Sequence, residues 1–164
     1  MSRILHLARR FVLSIWPCGP GLDDEAWARE SLLPAEVVLW ARMSGHDRRH
    51  AVAVARRVDR ALGGASRPII AAALLHDVGK IASGLSVPTR VVATLCGLVG
   101  GQRVWAGDGR ISRYLRHPEI GAEILAEARS DAMTIAWTAE HHLSSDRWTV
   151  DRQTGEALRA ADDD

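Results

Sequence analysis

An apolar run that ends in three ionisable side chains constrains this chain more than any other stretch. Ile69-Ile70-Ala71-Ala72-Ala73-Leu74-Leu75 can fill a helix buried on all sides, and it leads straight into His76-Asp77-Val78-Gly79-Lys80-Ile81. A folding core has no use for that ending. Neighbouring side chains on a helix point about 100° apart, so His76 and Asp77 make a common contact only through something placed between them. A metal ion in a notch between helices meets that condition, because imidazole nitrogen and carboxylate oxygen both ligate it. A hydrogen-bonded core histidine beside a helix-terminal aspartate would account for the same two residues.

Further histidines add to the pattern. His50 lies in a helical stretch where Val54, Val58 and Ala61 continue its face, and an unpaired imidazole on an apolar face is costly, so a metal or a hydrogen bond is needed there. A satisfied core histidine would look the same. His117 opens His117-Pro118-Glu119-Ile120-Gly121-Ala122-Glu123-Ile124-Leu125, with Pro118 suited to the first helical turn. His141 and His142 close Ala136-Trp137-Thr138-Ala139-Glu140-His141-His142, and Asp162 ends Ala157-Leu158-Arg159-Ala160-Ala161-Asp162.

This order of His, His-Asp, His, His-His and Asp resembles the HD superfamily of metal-dependent phosphohydrolases. The phrases LLHDVGK, RHPEIGAEIL and EHH look most like its six-ligand branch, which includes the HD-GYP phosphodiesterases, and the resemblance covers about residues 46 to 162. It implies an all-α fold, a single HD-domain helical bundle, with His50, His76, Asp77 and Asp162 holding a first metal. His117 with His141 or His142 would supply a second, Asp77 being the bridge and a catalytic residue. Adjacent His141 and His142 diverge on a helix, so one would ligate while the other faces substrate, or both bind if the helix frays. Asp162 is preferred over Asp146, Asp151, Asp163 and Asp164 because Leu158 and Ala161 continue an apolar helical face before it. The chain departs from the HD-GYP pattern after the histidine pair, reading Leu143-Ser144-Ser145-Asp146-Arg147-Trp148, which leaves cyclic-dinucleotide specificity without support.

The implied ligand set suits one or two divalent transition metals (Fe, Mn, Zn, Co or Ni) better than Ca. Two metals about 4 Å apart lower the pKa of a water between them and clamp the oxygens of a phosphoryl group. The expected activity is hydrolysis of a phosphomonoester or phosphodiester, with a nucleotide or other small phosphorylated molecule as substrate. Lys80, the chain's one lysine among 20 arginines, can act catalytically as a point charge on a phosphate oxygen. Arg113, Arg116 or Arg147 can hold another oxygen by a bidentate fork. A solvated surface charge is the plainer reading of each arginine. Two rivals remain: a non-catalytic HD-type ligand-binding or regulatory module, and a di-iron oxygenase of the same superfamily.

Composition narrows the partners. A net charge of +1 argues against a broad electrostatic grip on nucleic acid. Cys18 and Cys96 form no CxxC pair and read as free thiols of a reducing compartment. No run approaches the ~18 apolar residues of a membrane span, and Phe11 to Trp16 is too short for a secretory signal, so a cytoplasmic protein is expected.

Residues 3–16 are expected to form an amphipathic helix, with Ile4, Leu7, Phe11, Val12 and Ile15 on one side and Arg3, His6, Arg9 and Arg10 opposite. Packing onto the domain or a second subunit, giving a homodimer, is preferred for it over a membrane-surface role. Pro17-Cys18-Gly19-Pro20-Gly21 is a linker, so residues 1–22 form a helix and linker and residues 23–164 the HD domain. Helices are expected from Asp23, from Pro34, from Asp47 as cap of the helix carrying His50, from Pro68, over 88–99, across Arg110 to Arg116, from Pro118 and from Asp131. His46 is placed in the turn before His50, although in a helix continued backwards it would share that face as a further ligand. Gly79 is expected to let the chain turn as it leaves His76-Asp77. Gly100-Gly101 and Gly107-Asp108-Gly109 flank Trp105 in a loop bordering the site.

Overall fold

The computed structural model describes residues 19–99 and 104–163, apart from the side chains of Val87, Leu98 and Val99. The expected helix at 3–16, its pairing into a homodimer and the Gly100-Gly101 stretch lie outside the described residues. Within them the chain is all-α: α1 (Leu22–Glu30), α2 (Pro34–Arg42), α3 (Gly45–Ala61), α4 (Arg67–Leu75), α5 (Val87–Val99), α6 (Arg110–Leu115), α7 (His117–Glu127), α8 (Ala132–Glu140) and α9 (Arg152–Asp163). Two 3-10 turns, Val78–Ala82 and Ser145–Arg147, complete the order. No described helix is long and apolar enough to cross a membrane.

The apolar run forms the centre of the bundle. Every residue of α4 from Ile70 to Leu75 is buried, flanked by α3 on one side and α8 on the other, with α9 against α3 and α7 against α8. Leu74 and Leu75 are fully buried, and each contributes about 1.5–3 kcal/mol of apolar transfer to folding. Val54, Val58, Leu125 and Leu158 complete this core from the surrounding helices. One face of α3 therefore points inward along its length, which puts His50 at the edge of the same interface.

Helix starts follow from local chemistry, with two differences from the sequence reading. The cap of α3 is Ser44, whose hydroxyl accepts from the Asp47 backbone N–H at 3.1 Å; Asp47 lies inside the first turn. His46 is accordingly helical and not in the turn. Asp47 has another task, because Arg90 on α5 donates to both its carboxylate oxygens at 2.5 and 2.9 Å. That pair pulls the Asp47 carboxyl below its usual range despite burial and ties α5 to the start of α3. On the far side, the Arg56 guanidinium lies 3.7 Å over the Trp27 ring and bonds Asp24, fastening α1 to α3.

Gly79 does not serve as a flexible exit from α4. A Cβ there would stand 2.0 Å from the His117 carbonyl oxygen and 2.7 Å from the Gly121 backbone nitrogen. A Cβ on Gly121 would meet Thr138 Cγ2 at 2.8 Å and Gly79 N at 3.1 Å. The two glycines let the 3-10 turn after Asp77 touch the first turns of α7 backbone to backbone, which brings His117 beside Asp77. Gly79→Ala should force these elements apart and lower stability by about 1–3 kcal/mol or more, read as a lower urea midpoint. Gly109→Ser, where added atoms meet open space, should stay within about 0.5 kcal/mol.

Candidate metal centre

Every candidate ligand except His50, which lies within α3, sits where a helix starts or stops. His76 caps the C-terminus of α4 with αR geometry, and at Asp77 the backbone shifts to φ −98, ψ 7 and opens the 3-10 turn. The change of path lets two adjacent side chains converge, His76 Nε2 lying 3.5 Å from Asp77 Oδ2. His141 caps α8 in the same way, and His117 is the first residue of α7.

Three histidines share one orienting contact. The Nδ1–H of His76 donates to the Ala73 carbonyl at 2.9 Å, that of His117 to Tyr114 at 2.7 Å, and that of His141 to Thr138 at 2.9 Å. In each case the acceptor is the carbonyl three residues earlier, and for His76 and His141 it belongs to the last turn of a helix, where carbonyls lack intrahelical partners. With Nδ1 committed as donor, the lone pair falls on Nε2, the atom left to ligate.

Those Nε2 atoms surround Asp77. His117 Nε2 is 3.2 Å and His141 Nε2 3.9 Å from Oδ1, while Oδ2 faces His76 and receives the Lys80 ammonium. The Nε2 atoms of His117 and His141 are buried and make no hydrogen bond. A nitrogen lone pair facing a carboxylate oxygen is repulsive until a cation lies between them, and an unpaired buried polar atom costs about 1–3 kcal/mol. Two ligand groups result: His50, His76 and Asp77, and His117, His141 and His142, the ligand atoms of each lying within 4.8 Å of one another. Asp162, in the last turn of α9, joins the first group, its Oδ1 being 2.8 Å from His50 Nε2 and 3.6 Å from His76 Nε2. The donor set fits a pair of divalent transition metals: imidazole and carboxylate, buried at His76, Asp77, His117 and His141, oriented and in part unsatisfied.

Protonation states suit this use. Burial, together with the neighbouring His76 and His142, pushes His141 down to about 2, and burial with His117 nearby takes His142 down to about 4, so both stay neutral. Burial pushes Asp162 up, but the His50 hydrogen bond and His76 outweigh it and bring the carboxyl to about 2. Asp77 lies well below the usual carboxylate range because the Lys80 ammonium and His76 overcome burial. For His76 burial lowers the pKa, yet Asp77 and Asp162 reverse it and raise the imidazole to about 9. Burial also opposes the charge of Lys80, and Asp77 and Asp47 raise its pKa against it. Without metal, the negative charge of Asp77 is thus answered by a proton on His76 and by the Lys80 ammonium.

Arg113 is exposed on α6 and Arg147 is exposed in the second 3-10 turn. Arg116 donates to the Gly107 carbonyl at 3.0 Å and serves the loop, not the histidines. His46 belongs to neither ligand group. A cavity of about 340 Å³ opens beside His117 and His142, with Lys80 and Trp105 in its wall. Tyr114 and Leu115, which the sequence reading passed over, line it as well, and the Tyr114 ring stacks on His117 at 5.8 Å between centroids. Tyr114 and Leu115 sit three and two residues before His117, the one local signal that could have drawn attention to them.

Metal uptake must expel the His76 proton. Below pH about 9 the apparent affinity should therefore fall about tenfold per pH unit for that proton, measured by titration with a competing chelator. In the metal-free chain the raised pKa gives a stabilising term that is full below pH 6.5 and is lost as pH rises through about 9. His76→Ala and Asp77→Ala should each remove bound metal while the far-ultraviolet spectrum stays α-helical; full occupancy in either variant would contradict the site.

No curated protein and no solved structure matches the chain. A family model described as HD domain matches residues 49–163, a span that takes in the whole ligand constellation from His50 to Asp162. With well over half its length matched, the chain belongs to the HD domain family.

Proposed function

We propose that the protein is a metal-dependent phosphohydrolase acting on a small phosphate ester. The observation that carries this reading is the Asp77 carboxylate, whose Oδ1 faces His117 and His141 while Oδ2 faces His76. A carboxylate presented this way suits a bridge between two metal positions, one held by His50, His76 and Asp162, the other by His117, His141 and His142. Metals bound there would supply Lewis acidity toward phosphoryl oxygen and a water made acidic enough to act as nucleophile near neutral pH.

The chain's own groups do the rest. Asp77 keeps its charge well below neutral pH and would be a ligand to both metals. Lys80 borders the cavity with only 18 % of its side chain exposed, so its charge is little screened there and can meet a phosphoryl oxygen as negative charge builds. The three Nδ1–H bonds hold the imidazoles in place without reorganisation during turnover.

Manganese- or iron-loaded protein should hydrolyse p-nitrophenyl phosphate or bis-p-nitrophenyl phosphate. Asp77→Asn should abolish turnover, and Lys80→Met should lower kcat about a hundredfold with metal content unchanged. Full metal occupancy without turnover of any phosphate ester would favour a binding module, and oxygen-dependent product formation would favour an oxygenase.

A further inference from the structure

The cavity beside the second histidine group has a chemistry of its own, and resting on the phosphohydrolase reading, we infer that it selects phosphate esters of one flat, largely apolar group. At about 340 Å³ it lies at the small end of ligand pockets, room for a single ring and not for a dinucleotide. One end carries His117, His142 and Lys80; the rest is Trp105, Tyr114, Leu115 and the α5 residues Thr94 and Gly97.

Among the described residues, Lys80 is the sole lysine or arginine in the wall, and no carboxylate lines it. The polar groups of the apolar end are mostly used internally: the Thr94 hydroxyl donates to the Arg90 carbonyl at 3.0 Å, and the Trp105 indole N–H points to the Gly97 carbonyl at 3.4 Å. Among the described residues that leaves the Tyr114 hydroxyl as a side-chain handle, too little by itself to read the edge of a nucleobase, where several paired donors and acceptors are needed. The wall is instead built for area. Trp105 stands 43% exposed, an indole with surface to cover, and Gly97 is pressed so closely on Leu115 (a Cβ would be 2.7 Å from its Cδ2) that α5 and α6 meet as one smooth surface. A flat apolar group covering Trp105 and Leu115 gains transfer energy that a small alkyl group forgoes.

Isothermal titration of the manganese-loaded chain with two non-hydrolysable probes, phenylphosphonate and methylphosphonate, tests this without turnover. Phenylphosphonate should bind about tenfold more tightly. Trp105→Ala, and independently Thr94→Trp, which fills the cavity from an exposed helix position, should each remove most of that preference and leave methylphosphonate affinity unchanged. Equal affinities for the two probes, or a preference that survives both variants, would overturn the inference and leave the metal site untouched. Failure of both probes to bind a chain that retains its metal would overturn the phosphate-ester reading, and the cavity assignment with it.

Discussion

Lone pairs facing one another around Asp77 are the constraint on which the rest of this structure depends. Three imidazoles commit their Nδ1–H to the chain's own carbonyls and turn Nε2 toward a single carboxylate. Acceptors set against acceptors in a buried place raise the free energy of the fold unless a cation enters. In the metal-free state a proton on His76 and the Lys80 ammonium meet part of that need. On the other side, His141 stays neutral and His117 Nε2 and His141 Nε2 stay unsatisfied. Metal binding would then stabilise the fold, since it favours the native chain over the unfolded one by mass action.

Secondary structure serves this arrangement by ending in the right places. A continuous helix would send His76 and Asp77 in different directions; stopping α4 at Leu75 and tightening into a 3-10 turn makes them converge. Glycines at 79 and 121 then allow a backbone approach that any side chain would block, and α7 delivers His117 to the far side of Asp77. The apolar run of α4 from Ile69 to Leu75 anchors the site in the most deeply packed part of the bundle. Rigid core and reactive cluster are consecutive in sequence, which keeps the ligands in register with the packing.

Much of this was legible in the sequence because its signals are local. Apolar periodicity and the prolines at 34, 68 and 118 mark the helices, and His76-Asp77 at the end of an apolar run betrays a use beyond packing. Asp162 was readable from Leu158 and Ala161 on the same helical face. What escaped depends on contacts distant in the chain. Asp47 looks like a cap until Arg90, 43 residues on, is seen to hold it. Gly79 looks like a hinge until its distance from the His117 carbonyl is known. Arg113, Arg116 and Arg147 are not among the described residues lining the cavity, and charge alone does not say which way a surface side chain faces. Trp105, Tyr114 and Leu115 form one wall only after α5 and α6 pack.

The most direct test of this account is the number of metal ions held per chain, measured by native mass spectrometry after reloading chelator-treated protein with manganese or iron. The account requires two, one on each side of Asp77, both lost when Asp77 becomes alanine. A single ion, or none, in protein that is folded and helical would contradict a bridging Asp77 and the mechanism built on it.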